Sequence, residues 1–143
     1  MYEFLDYQVQ DVMSKPFTIS ADATLAEVEE LLEKNRFNAL PVVDATGLLQ
    51  GLVTSLDLLK AFDFSEDTIL PPFDQVMRQD VSNVMQREVQ TVTPRTPLHR
   101  VLRKIVETRN KSFPVVEDDH VVGVVAREDV MLALRRASGG VGP

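Results

Sequence analysis

No cysteine occurs among the 143 residues of the chain, which removes disulfides, thiolate metal sites and cysteine nucleophiles together. No apolar run approaches the roughly 20 residues that a membrane-crossing helix needs. A basic face is missing as well: acids outnumber bases by 22 to 15, the formal net charge is -7, and the two signs are interspersed. A long polyanion such as nucleic acid is therefore not an expected partner. A small anion is not excluded, because free helix-start N–H groups with one or two placed Arg or Lys can hold a phosphate. Histidine is scarce at two residues. His99 falls in the first turn of a predicted helix with no Ser or Cys partner nearby, so a catalytic triad is not expected. The opening Met1-Tyr2-Glu3-Phe4-Leu5-Asp6 carries acids where an export signal needs bases, and the expected address is cytoplasmic.

What the chain does contain is a globular balance, 44% hydrophobic and 26% charged, and an internal repeat. Val12-Met13 returns as Val84-Met85, Thr18 as Thr91, Leu25 and Val28 as Leu98 and Val101, and Arg36 as Arg109. Pro41-Val42-Val43 returns as Pro114-Val115-Val116, and Gly51, Val53 and Asp57 as Gly123, Val125 and Asp129. The spacing slips by one residue near Glu88 and slips back near His120, both in predicted loops, where a structural repeat tolerates such changes.

Each copy reads as β-α-β-β-α, so the expected class is mixed α/β. Thr18-Ile19-Ser20 and Thr91-Val92-Thr93 are β-branched and short, as a leading strand requires. A helix with a 3.6-residue apolar stripe follows, through Leu25, Val28, Leu31 and Leu32 in one copy and Leu98, Val101, Leu102, Ile105 and Val106 in the other. Thr24 with Glu27 suggests a capping box, and Thr96-Pro97 an N-cap followed by the first helical residue. Hairpins turn at Asp44-Ala45-Thr46-Gly47 and at Glu117-Asp118-Asp119-His120. The closing helices start near Ser55 and Arg127 and are expected to bury Leu58 and Leu59, and Val130, Met131 and Leu134. Met13, Met85 and Met131 are read as core packing. A linker over 63–79 contains Pro71-Pro72 and a helical turn around Phe73 to Met77, and the Gly-rich tail 138–143 is expected to be disordered. One copy of about 55 residues buries too little surface to be stable alone, so the two are expected to pack in approximate two-fold symmetry with matching clefts at their seam.

The segment Gly51-Leu52-Val53-Thr54-Ser55-Leu56-Asp57 concentrates chemistry at a helix start. Free N–H groups and the positive dipole end attract phosphate there. The Thr54 hydroxyl can add a donor, and the Asp57 carboxylate can accept from two ribose hydroxyls. An ordinary capping arrangement, Thr54 as N-cap with Asp57 at N3, explains the same residues. In the second copy, Gly123-Val124-Val125-Ala126-Arg127-Glu128-Asp129, the cap is lost at Ala126 but Asp129 keeps its place.

The doubled order of Val-Met, Pro-Val-Val and Gly-x-x-Thr-x-x-Asp resembles the CBS domain pair, with repeats at 9–62 and 80–137 after an extension over 1–8. The resemblance implies a disc-like, homodimeric regulatory module that binds AMP, ADP, ATP or S-adenosylmethionine as a regulatory ligand and carries no catalytic cofactor or metal. An unidentified effector protein would read the bound state; a ligand-independent dimerisation module is the alternative. It further implies that Asp57 binds ribose and Thr54 phosphate, with a weaker site at Asp129 where Arg127 substitutes as donor. Thr18, Ile19, Ser20, Thr91, Thr93 and Pro94 would border adenine and ribose. Ala39-Leu40 and Ser112-Phe113 would wall the base, although the apolar flanks of Phe113 also suit a plain core position. Arg36, Arg109 and Lys111 suit helix ends through the dipole or a phosphate contact, and Asp118-Asp119-His120 reads as a solvated turn rather than a metal site.

Overall fold

The computed structural model describes residues 3–63 and 72–143. Linker residues 64–71, with Pro71, lie outside the described residues. The chain divides into two compact units: a first unit of Phe17–Val89, and a second of Met1–Pro16 with Gln90–Pro143.

In the first unit β1 (Ile19–Ser20) runs into α1 (Leu25–Asn35), β2 (Ala39–Val43), β3 (Leu49–Thr54) and α2 (Ser55–Lys60), and a short α3 (Phe73–Met77) follows. β1 pairs parallel with β2, and β2 antiparallel with β3. Leu25, Val28 and Leu32 of α1 pack on Leu40, Val42 and Val53 of the sheet, and α3 closes the core with Val76 and Met77. The second unit contains α4 (Leu98–Thr108), β4 (Ser112–Glu117), β5 (His120–Ala126) and α5 (Arg127–Ser138). Its core gathers Leu98, Val101, Phe113, Val115, Val125, Val130 and Ala133.

The leading strand of the second copy is reduced to a single rung, Val92 opposite Val115. Val92 donates to the Pro114 carbonyl and accepts from Val116. The next rung would need a donor at residue 94, which is proline, so the ladder stops.

The compact units do not coincide with the repeats over 9–62 and 80–137, because the Val-Met segments are exchanged. Gln86 forms a two-bond backbone bridge with Leu52 of β3, and Ser14 forms the matching bridge with Val124 of β5. The exchange extends upstream. The Leu25 N–H at the start of α1 bonds the Gln79 carbonyl, and the Leu98 N–H at the start of α4 bonds that of Tyr7. Within the segment before the first repeat, Tyr7 is fully buried in the second core, and Val9 joins it there.

Several expectations are corrected. Leu59 and Met131 are 68% and 58% exposed. Each follows a buried residue, Leu58 or Val130, and one helical step of about 100° turns it off the sheet-facing stripe. Val106 is also exposed, one step beyond the partly buried Ile105. Thr96 does not cap α4; its hydroxyl accepts from the Thr93 N–H at 3.0 Å instead. The tail is not disordered as a whole: Gly140 turns with φ 73°, and the Val141 carbonyl accepts the Tyr7 hydroxyl at 2.8 Å. Arg36 and Arg109 end their helices in the left-handed conformation. Asp118 and Asp119, both at positive φ, form the two-residue turn between Glu117 and His120.

Gly51 and Gly123 permit the exchange. A Cβ on Gly51 would lie 2.6 Å from the Gln86 carbonyl oxygen and 2.8 Å from Met85 Sδ. One on Gly123 would lie 2.8 Å from Met13 Sδ and 3.1 Å from the Ser14 oxygen. A thioether can swing away more readily than a bridged carbonyl. Gly51→Ala is therefore expected to cost about 2–3 kcal/mol and Gly123→Ala about 1 kcal/mol, as read from urea unfolding midpoints; equal costs would refute the close-approach account.

Candidate ligand site

Asp57 stands at the third position of α2, where the N-cap Thr54 ends β3. It is 3% exposed, the one buried charged side chain among the described residues. Its Oδ2 accepts from the Thr54 N–H at 2.8 Å, from Thr54 Oγ1 at 2.9 Å and from Gln86 Nε2 at 3.1 Å. Thr54 Oγ1 in turn accepts from the Asp57 N–H at 3.3 Å. A buried carboxylate needs such donors to offset lost hydration. Both halves of the capping reading are thus present, and the Thr54 hydroxyl proton points at Asp57 rather than outward. Beside Asp57 a polar notch of ≈ 390 Å³ is lined by Lys60, Gln79 and Asn83.

Asp129 occupies the same position on α5 but in different surroundings. It is half-buried and accepts from the Ala126 N–H at 2.7 Å. Ala126 supplies no hydroxyl, and no bond from Ser14 to Asp129 exists among the described residues. Burial raises its carboxyl above the ordinary value; the Ala126 N–H opposes this, and neighbouring Glu128 adds to it. Arg127 turns away from the helix axis. Its Nε donates to the Asn110 carbonyl at 3.1 Å and its Nη2 to that of Arg109, which ties it to the turn before β4.

The ladders bring some expected residues together and keep others apart. Ala39 lies opposite Thr54 and Ser112 opposite Ala126, so both stand at the starts of the closing helices. Leu40 and Phe113, by contrast, are enclosed in the two cores, and Lys104 Nζ sits 5.5 Å from the Phe113 ring centroid. Their side chains face the cores in this structure, whereas Ala39 and Ser112 are partly exposed. Ile19 and Ser20 pair with Val42 and Val43, three and four residues along β2 from Ala39, or roughly 10 and 13 Å at 3.3 Å per residue. Ile19 is itself buried. Thr18 and Ser20 line an open cleft of ≈ 370 Å³ with Asp22, Asp44 and Gln50 at the hairpin-turn end. Thr93 and Pro94 line a counterpart of ≈ 390 Å³ with Arg95, Asp118 and Asp119. Thr91 lies just before these, its carbonyl 3.4 Å from Lys104 Nζ. Gln86 was not anticipated. Its place after a Val-Met pair matches Ser14, but only the exchange reveals that it faces Asp57.

Two measurements probe the carboxylates. Asp57→Ala strips acceptors from Thr54 and Gln86 and is expected to destabilise by about 2 kcal/mol, more than Asp129→Ala, in urea denaturation. For Asp129 the folded state holds the proton more tightly than the unfolded chain. Stability should therefore fall as pH rises from 3.8 upward, and Asp129→Asn should gain on the parent across that window. A flat difference between the two over pH would refute the burial of Asp129.

The CBS domain family model matches residues 9–63 and 81–136. The chain is 33% identical over 124 residues to the L-aspartate semialdehyde sulfurtransferase of Methanocaldococcus jannaschii, covering 85% of this chain but only 22% of that protein. Its fold matches a Vibrio cholerae protein provisionally assigned to acetoin utilization, AcuB, with a TM-score of 0.82, 26% identity, and coverage of 97% of this chain and 100% of the other. It also matches the CBS domain pair of protein MJ0100, solved in complex with 5′-methylthioadenosine and S-adenosyl-L-methionine, with a TM-score of 0.70, 30% identity, and coverage of 88% and 98%. With both copies of the repeat matched and the β-α-β-β-α order shared, this chain belongs to the CBS domain family, as a tandem pair of repeats.

Proposed function

We propose that this chain is a regulatory module that binds an adenosine-bearing small molecule and catalyses no reaction. The observation that carries the reading is the recurrence of a carboxylate at the third position of both closing helices, kept in the second copy although its capping partner has become alanine. Asp129 still caps the Ala126 N–H, but it has lost the hydroxyl donor that Asp57 receives from Thr54. A ribose, with two neighbouring hydroxyl donors, can supply one. The MJ0100 domain pair supports the choice, since both molecules bound to it carry adenosine. AMP, ADP, ATP and S-adenosylmethionine all present the required diol. The ligand acts as an effector: it shifts the module between states by its differential affinity for them, and a partner protein reads the shift. A cytoplasmic setting supplies all four.

A second reading, ligand-independent dimerisation, is favoured by one observation. Leu56 and Leu59 on α2, and Met131 and Leu132 on α5, are exposed apolar residues on equivalent helices. A homodimer is compatible with either reading. The second is favoured if mass by light scattering shows a dimer and adenosine compounds leave stability unchanged.

Thermal unfolding with AMP, ATP and S-adenosylmethionine separates the two. Ligand at about 100 times its dissociation constant adds about 2.7 kcal/mol, or roughly 8 °C for a chain of this size. No shift with any of the three rejects the regulatory reading.

A further inference from the structure

We infer that Gln86 is an internal competitor for the first carboxylate, so that an adenosine-bearing ligand binds first through Asp129. This rests on the reading above and reverses the order that the motifs suggest. By motif, Thr54 with Asp57 is the complete site and Ala126 with Asp129 the degraded one. The hydrogen bonds say otherwise. Asp57 Oδ2 already accepts from three donors, and the remaining Oδ1 lies 3.4 Å from Gln86 Nε2. A ribose approaching Asp57 must first displace the Gln86 amide. Because Gln86 is exposed, that amide can swing to water, so the cost is the bond itself. A hydrogen bond to a charged group corresponds to roughly a tenfold to hundredfold loss of affinity.

The second unit lacks this competitor because of one side chain on an otherwise equivalent backbone. Gln86 and Ser14 occupy equivalent places, each bridged through both its N–H and its carbonyl to the matching residue of a closing strand, Leu52 or Val124. Only the side chains differ. Glutamine carries its donor two bonds further from the main chain than serine does, and it reaches the carboxylate. Serine leaves Asp129 with the Ala126 N–H as its recorded donor. Such a half-buried carboxylate, short of donors, gains more from a diol than one already supplied.

Exchange of the two side chains tests this, and both variants keep the backbone bridges. Isothermal titration with AMP, and separately with S-adenosylmethionine, is run on the parent, Gln86→Ser, Ser14→Gln and Asp129→Asn. The parent is expected to show one tight site, which Asp129→Asn weakens by at least roughly tenfold. Gln86→Ser is expected to strengthen a second site by a similar factor, moving the stoichiometry from one towards two per chain. Ser14→Gln is expected to weaken the tight site. The inference fails, with the regulatory reading intact, if the parent binds two equivalents alike, if Asp129→Asn leaves the tight site untouched, or if Gln86→Ser leaves the isotherm unchanged. Absence of binding by either compound to every variant sinks both.

Discussion

The absence of a side chain at Gly51 and Gly123 is the constraint on which the rest of the structure depends. It lets the Val-Met segment associated in sequence with one copy lie across the closing strand of the other, with Met85 or Met13 covering the space that a Cβ would fill. The small sheets need that cover. β3 and β5 are the last strands of their sheets, and a bare strand edge presents unpaired N–H and C=O groups to solvent or to other chains. The bridges at Leu52 and Val124 occupy part of each edge. The same segments carry carbonyls to the first N–H of α1 and of α4, groups that the helices cannot satisfy themselves. One local permission thus closes the core, part of a strand edge and a helix start in each unit.

The cover also creates the contrast between the two carboxylates. Asp57 and Asp129 sit at equivalent helical positions, yet one is enclosed and bonded to Thr54 and Gln86, while the other is half-exposed with the Ala126 N–H as its donor. The difference arises from residues far apart in sequence. A buried acid without a cationic partner is tolerable only when neutral donors surround it, and at Asp57 they do. At Asp129 burial outweighs the Ala126 N–H, and the carboxyl holds its proton more tightly than usual.

Much of this was legible in the residues. The start of α2 followed from the Thr54 cap, that of α5 from its repeat counterpart, and the hairpin turns from turn chemistry, because each depends on neighbours within a few positions or on the internal repeat. What escaped was non-local. Leu59 and Met131 look like core residues by type, but which side of a helix faces the sheet is decided by packing. Leu40 and Phe113 suit a ligand wall or a core equally well by residue type, and the packing of their sheets puts both in the core. The role of Gln86 is a contact across 29 positions, and no local pattern announces it. The glycine-rich tail was misread because composition is silent about Tyr7, whose hydroxyl waits for the Val141 carbonyl.

That last bond has a consequence for biosynthesis. The first unit is one continuous stretch, Phe17–Val89, and all of its parts are synthesised before α4, β4, β5 and α5 of the second unit. The second unit is assembled from residues near both ends, with Tyr7 and Val141 separated by 134 positions. Tyr7 and Val9 are synthesised well before α4, β4 and α5, the elements whose residues enclose them. Nascent chains of intermediate length therefore expose this early segment, and a translational pause before residue 90 would lengthen the interval in which chaperones can capture it.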